Sequence, residues 1–346
     1  MTAPPPIPPD RARWLGLIVL AVLALAARRT EGPEAFASAN AAHPHAGDAR
    51  EGRHLGSIEV AGHAWTFALH VPAGYDDDPR RRWPLVLALH GASGSGPAFL
   101  DEAHWDDLAD REGVIVAAPS GLPLRPLVNP SRAFNPRLWN SGQHPPDRPR
   151  SRVDDLAFFD ALLAEIARRW RIDPDRIYAA GHSNGGAMAL RLAAERSEVF
   201  AAVASVAGLR YVEPPEDAQG VSILTIFGGA DPLLPTEGGL SVLPWEVRRT
   251  PEILPELRRY AAQIGCPETS TVIEHDGLLH SFCYPPGPDG ATLKFILIDR
   301  HGHAWPGGRA HLAEPILIGP RNDLIDATTV IWKFFAHRRR RPDGST

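Results

Sequence analysis

The sequence predicts an α/β fold in which a mostly parallel β-sheet is covered by helices on both faces. Three observations carry this expectation. Short continuous apolar runs such as Pro84–His90 (PLVLALH) read as strands buried on both faces, as parallel strands are. Between such runs lie segments of helical period, and in Asp154–Trp170 the residues Leu156, Phe159, Leu163, Ile166 and Trp170 step by three and four along one face. The third is the passage from the apolar run Arg176–Ala180, through Gly181-His182-Ser183-Asn184-Gly185-Gly186, into the good helix formers Ala187–Ala194. Length alone (346 residues, 44% apolar) allows one large domain or two small ones. The alternation runs without a break, so residues 54–338 are assigned to one domain.

Taken in order, Ser57–Val60 and Trp65–Val71 read as two short strands around the turn at Ala61-Gly62. Pro84–His90 and Gly113–Pro119 follow as buried strands. The segment 122–149 is long, rich in proline and without periodicity, and is expected to lie over the functional end of the sheet. The helix 154–170 has Asp154 and Asp155 at its start and Arg168 and Arg169 at its end, charges that suit the helix dipole. After the Ser183 segment come strands Ala201–Val206, Ser222–Phe227 and Ala291–Ile298, then a helix from about Asp323 to Phe335. Arg338–Arg341 form a basic run, and residues 339–346 read as a solvated tail.

Residues 1–27 read as a signal peptide or N-terminal membrane anchor. The apolar run Trp14–Ala27, interrupted by Gly16 and flanked by Arg11, Arg13, Arg28 and Arg29, is shorter than the roughly 20 residues of a membrane span. Ala24-Leu25-Ala26 and Ala39-Asn40-Ala41 both fit a cleavage site. Export, or membrane attachment through 14–27 if uncleaved, is therefore expected. Residues 28–53 read as a linker in which His43 and His45 are solvated rather than metal-bound. The net charge of −5 gives no reason to expect nucleic acid as a partner, and nothing fixes an oligomeric state. In an exported chain the two cysteines, Cys266 and Cys283, suggest a disulfide worth roughly 3 kcal/mol. They are too few for a four-ligand zinc site, and no metal or cofactor is expected.

The chemistry begins at Ser183. Strand, G-x-S-x-G and helix make a nucleophile elbow, a turn that lifts a serine above the end of a sheet. A serine hydroxyl needs a base, and the base an orienting acid. Asp231 follows the strand 222–227 and His303 follows the strand 291–298, which supplies the order Ser, Asp, His. His301 competes with His303, and Asp299 or Glu274 with Asp231; His280 precedes the last strand, and His182 is read as pointing away from Ser183 into the packing. An oxyanion needs two backbone donors, worth roughly 2.7–4 kcal/mol each. Asn184 N–H is one; Ala92 N–H, with Gly91 as the alternative, is the other, on the loop His90-Gly91-Ala92-Ser93-Gly94-Ser95-Gly96. That loop lacks the G-x-x-x-x-G-K-[ST] lysine of a phosphate site.

His90-Gly91, Trp139-Asn140, Val153-Asp154-Asp155, Gly181–Gly186, Ala230-Asp231-Pro232 and Gly302-His303-Ala304-Trp305-Pro306-Gly307 stand in the order found in polyhydroxybutyrate depolymerase-like esterases. Over residues 55–338 the chain resembles this group, which includes LpqC-type proteins and feruloyl and acetylxylan esterases. The resemblance implies an α/β-hydrolase fold and an exported serine esterase with Ser183 as nucleophile, Asp231 as acid and His303 as base. It also implies a Cys266–Cys283 bridge. Arg300 and His301 depart from the small residues usual before the Gly-His pair, and the matching region is not followed by a polymer-binding module. Soluble or oligomeric esters are thus expected as substrates rather than crystalline polyester. Trp139 and Trp305 are expected to contact substrate. A peptidase or acyltransferase with the same three residues, and a non-catalytic carbohydrate- or polymer-binding protein with Trp139 and Trp305 as stacking platforms, are the competing expectations.

Overall fold

The computed structural model describes residues 51–340, apart from 133, 244 and 310–317. The expected export segment 1–27, the linker to residue 50 and the tail beyond Arg340 lie outside the described residues. In chain order the elements of the main sheet are β1 (Gly52–Val60), β2 (His63–Val71), β3 (Trp83–Leu89), β4 (Ile115–Pro119), β7 (Ile172–His182), β8 (Ala202–Val206), β9 (Ser222–Gly228), β12 (Thr271–Asp276), β13 (Leu279–Tyr284) and β14 (Leu293–Ile298). Two small pairs, β5 (Leu122–Pro123) with β6 (Arg137–Leu138) and β10 (Gly239–Leu243) with β11 (Glu246–Thr250), stand outside it. The helices are α1 (Gly96–Glu102), α2 (Trp105–Glu112), α3 (Asp155–Arg169), α4 (Asn184–Glu195), α5 (Ile253–Gln263) and α6 (Ala327–Phe335).

The sheet runs β1-β2-β4-β3-β7-β8-β9-β14-β13-β12. Its centre, from β4 to β14, is parallel, and antiparallel pairs close both edges. This is the predicted α/β class, and the alternation of side chains explains it. Leu85, Leu87 and Leu89 of β3 pack on the side of α3, α4 and α5, while Val86 and Ala88 face α1, α2 and α6. A strand between two such layers must be apolar at every position, which is why these strands were visible as continuous runs.

Several boundaries moved for local reasons. β1 starts at Gly52 because it pairs with β2 along its whole length, Gly52 opposite Val71 and Val60 opposite His63. Ala61 (φ 51°) and Gly62 (φ 76°) make the two-residue turn with both residues at positive φ, the hairpin geometry that fits strand twist. α6 begins at Ala327 rather than near Asp323, since the Asp326 side chain accepts from Thr329 N–H and caps it there, whereas Asp323 accepts from Gly307 N–H. Arg339 and Arg340 do not hang free: Arg339 pairs with Asp173 at 3.0 Å and Arg340 with Asp175 at 3.3 Å.

The cysteines correct an expectation. Cys266 and Cys283 are free thiols, not a disulfide. Each turns its sulfur to a backbone carbonyl, Cys266 Sγ to Ala291 O at 3.5 Å and Cys283 Sγ to Tyr284 O at 3.4 Å. Burial pushes both thiols up, and the nearby Cys283 adds to the shift of Cys266, so neither is held as a reactive thiolate. No helix among the described residues is long and apolar enough to cross a membrane.

Candidate active site

The site lies at the carboxyl ends of β3, β7, β9 and β14, the edge of a parallel sheet where loops converge. Ser183 follows β7 and caps the start of α4 with φ 53° and ψ −117°, a strained conformation for a residue with a side chain. The turn is tight because its glycines let backbones touch. A Cβ on Gly181 would stand 2.2 Å from Gly185 O, and one on Gly185 would stand 2.2 Å from Leu89 O. The elbow is thus wedged against β3, and Ser183 Oγ is aimed out of the sheet.

The structure brings the three expected side chains together. Ser183 Oγ is 2.7 Å from His303 Nε2, and His303 Nδ1 is 2.5 Å from Asp231 Oδ2. Asp231 is 4% exposed, and its other oxygen accepts from Leu233 and Leu234 N–H, both at 2.8 Å, so the carboxylate is locked in one orientation. Because a carboxylate can only accept, His303 must carry its proton on Nδ1 in the resting state, leaving Nε2 to accept from the serine. Two of the competitors, His301 and Asp299, stand elsewhere. His301 is pinned in its own loop, Nε2 to Ala304 O at 3.0 Å and Nδ1 accepting from Asn322 N–H at 3.0 Å. Asp299 meets His280 at 3.0 Å on the β13 side.

His182, packed edge-on against Trp305, also acts on this loop, a role the sequence does not signal. Its Nε2–H donates to His303 O at 2.6 Å, and its ring lies 5.3 Å from the His303 ring. It therefore fixes the backbone that carries the imidazole. Only the crossing of β7 by the His303 loop gives it this role, and no local pattern signals that. His90 is also structural: Nδ1–H donates to Gly91 O at 2.6 Å and Nε2 accepts from Gly121 N–H at 2.9 Å, which shapes the Gly91-Ala92 loop.

The two residues expected to supply oxyanion donors both lie at the cavity. Asn184 is the first residue of α4, where a helix N–H has no intrahelical acceptor. Ala92 and Asn184 both line the cavity over Ser183. The Asn184 side chain faces the other way, accepting from Trp139 N–H at 2.6 Å and donating to Trp139 O at 3.0 Å.

Both tryptophans expected at the substrate are corrected. Trp139 is fully buried, stacks with Trp65, and donates from Nε1 to His90 O at 2.9 Å. Trp305 is 1% exposed, packs edge-on to Phe99, and donates to Thr328 Oγ1 at 3.0 Å. Neither lines the cavity; the loops carrying them place their indoles beneath the site, where a large apolar ring is stable only once buried. The cavity of about 520 Å³ is lined instead by Phe99, Tyr211, Leu234, Leu243 and Trp245, with Arg132 and Gln143 from the long segment 122–149. That volume suits a small molecule or a short oligomer.

Buried imidazoles make the fold sensitive to acid. Burial pulls His182 down to about 3, with the neighbouring His303 adding to it. It pulls His90 and His144 down to about 4, with Arg137 or Arg150 adding to it. Unfolded, each would bind a proton near its ordinary 6.5. Above pH 6.5 both states hold them neutral and nothing is lost. Below it only the unfolded chain takes up protons, so stability falls until about pH 4 to 3, by on the order of 1 kcal/mol per pH unit for each imidazole. Urea midpoints are expected to drop steeply from pH 6.5 to 4, and less steeply in His144→Asn. A midpoint flat across that range would show that these rings are solvated.

The comparisons with known proteins fit this site. The family described as "Putative esterase" matches residues 58–248. Over 305 residues the chain is 31% identical to the "Putative esterase NocK" of Nocardia uniformis subsp. tsuyamanensis, covering 79% of this chain and 80% of that protein. A probable feruloyl esterase C of Aspergillus terreus is 28% identical, with 51% of this chain and 58% of the relative covered. The poly(3-hydroxybutyrate) depolymerase of Ralstonia pickettii is 27% identical, with 43% of this chain but 30% of that enzyme covered. Among solved structures, the S-formylglutathione hydrolase of Agrobacterium tumefaciens superposes with a TM-score of 0.51 at 17% identity, over 73% of this chain and 88% of that one, a likeness of fold. The chain therefore belongs to this esterase family, with an α/β-hydrolase fold, and is a carboxylic ester hydrolase.

Proposed function

We propose that this protein is an exported serine esterase that cleaves soluble or oligomeric carboxylic esters through an acyl-enzyme on Ser183. The observation that carries this reading is the relay of Ser183, His303 and Asp231, at 2.7 and 2.5 Å. His303 Nε2 takes the serine proton as Oγ attacks the ester carbonyl. The resulting oxyanion lies toward Asn184 N–H and Ala92 N–H, with the amino end of α4 adding its dipole. Asp231 steadies the imidazolium. As the intermediate collapses, the C–O bond to the alcohol breaks and the alcohol leaves with the proton from His303. Water then repeats the sequence on the acyl-enzyme, releasing the acid and restoring the serine.

A second reading, a feruloyl or acetylxylan esterase acting on carbohydrate esters, is favoured by relatives named for those activities. A non-catalytic binder is disfavoured, since both tryptophans that would serve as platforms are buried. Export rests on the run Trp14–Ala27 with its flanking arginines and on the family resemblance. A fluorophosphonate is expected to add one label per chain, located by peptide mass on Ser183 and absent in Ser183→Ala. Labelling elsewhere, or none in active protein, would remove Ser183 as nucleophile. Rates on 4-nitrophenyl acetate, methyl ferulate, acetylated xylan and hydroxybutyrate oligomers then rank the two readings, and N-terminal sequencing of the mature protein tests export.

A further inference from the structure

The β10–β11 hairpin forms one wall of the cavity, where the apolar Leu243 and Trp245 stand beside two polar residues, Ser241 and Arg248. Ser241 and Arg248 are direct cross-strand partners, so their side chains share a face, and both residues line the cavity. Arg248 Nε and Nη1 are buried without a hydrogen-bond partner among the described residues, and so is Ser241 Oγ. Glu246, two residues away on the same face, comes no nearer than 3.8 Å to Arg248 Nη1, an ion pair too long for a hydrogen bond. The guanidinium lies 5.2 Å over the Tyr211 ring, which sets its plane. Buried polar atoms in native proteins are ordinarily paired, so an unpaired donor set facing a binding cavity marks a place for a ligand acceptor.

The charge on the wall gives the sign. Arg132, Arg248 and Arg309 line the cavity against Asp101 and Glu102, and Asp101 is already paired with Arg53 at 2.6 Å. Glu246 offsets part of the Arg248 charge, which matches the pocket to a monoanion rather than a dianion. A carboxylate suits this set, since its two oxygens can accept from a guanidinium edge and a hydroxyl together.

We propose that Arg248 and Ser241 bind a free carboxylate at the non-reacting end of the ester, making carboxylate-bearing esters the preferred substrate class. This rests on the esterase reading above and concerns only which esters are preferred. The probes are two matched pairs: 4-nitrophenyl hydrogen glutarate with its methyl ester, and 4-acetoxybenzoate with 4-acetoxybenzamide. The first places the carboxylate on the acyl side, the second on the alcohol side. The readout is the ratio of kcat/KM for the charged over the neutral member. Arg248→Met is expected to lower that ratio roughly 10–100-fold in at least one pair, the range for losing a charge-assisted hydrogen bond. Arg248→Lys should recover part of it, and Glu246→Gln should raise it. Ratios unchanged in Arg248→Met for both pairs would overturn the proposal. If that variant does not fold, inhibition of the unaltered enzyme by the monoanion glutaramate but not by glutaramide decides the matter, and equal inhibition counts against it. Failure of the serine reading is separate, since it shows as turnover surviving in Ser183→Ala, whatever the ratios.

Discussion

Ser183→Ala is expected to lose about 10⁶-fold in kcat on 4-nitrophenyl acetate, and His303→Ala a similar factor, because the relay works as a unit. What remains is the contribution of binding and of the backbone donors proposed above at Asn184 and Ala92. Neither change should shift the thermal midpoint greatly. Among the described residues Ser183 Oγ bonds only to His303, and an alanine would fit the same elbow. His301→Ala should behave differently. Its ring bonds Ala304 O and Asn322 N–H and does not reach Ser183, so thermal stability should fall while kcat falls far less than in His303→Ala. Kinetics and melting curves on the three variants together are the measurement. Turnover within tenfold of the unaltered enzyme in Ser183→Ala, or a larger kinetic loss in His301→Ala than in His303→Ala, would refute the assignment.

The largest stability effect is expected at Arg150 and Asp155, both essentially without solvent contact. Arg150 Nη1 and Nη2 reach the two Asp155 oxygens at 2.7 and 2.5 Å, a bidentate pair, while Nε and Nη2 donate to Leu138 O. Asp155 also accepts from Asn140 N–H at 3.1 Å, and Asn140 Nδ2 holds Ser151 O and Val153 O. This network fastens the segment around Trp139, which is clamped in turn to Asn184 at the elbow. Asp155→Asn leaves a buried guanidinium half paired and should cost about 3–5 kcal/mol. For a domain of this size that is a fall of roughly 10 °C in Tm. Arg150→Met with Asp155→Leu removes both charges and should cost clearly less than Asp155→Asn alone. A double variant no more stable than the single would show that the geometry of the pair, not the stranded charge, dominates.

The parallel centre of the sheet was legible because burial on both faces forces continuous apolar runs, as in Pro84–His90 and Ser222–Phe227. The hairpins β10–β11 and β12–β13 were not. Residues such as Glu246, Arg248 and Arg249 give β10–β11 no apolar alternation, and its pairing is decided by contacts across the hairpin. The short helices α1 and α2 escaped for a related reason, since two turns are too few for a period to show.

Sequence by itself determined the fold class, the elbow, and the order Ser183, Asp231, His303, because each depends on local chemistry: glycines that permit a tight turn, an aspartate or a histidine in the loop after a buried strand. Only the tertiary structure decided what depends on which distant segments meet. It separated His303 from His301 and gave the packed His182 ring the further role of supporting the His303 backbone. It moved Trp139 and Trp305 from the substrate to the core and left Cys266 and Cys283 as free thiols. A side chain's direction and its partners across the chain are set by packing between layers, and no pattern along one strand or loop encodes them.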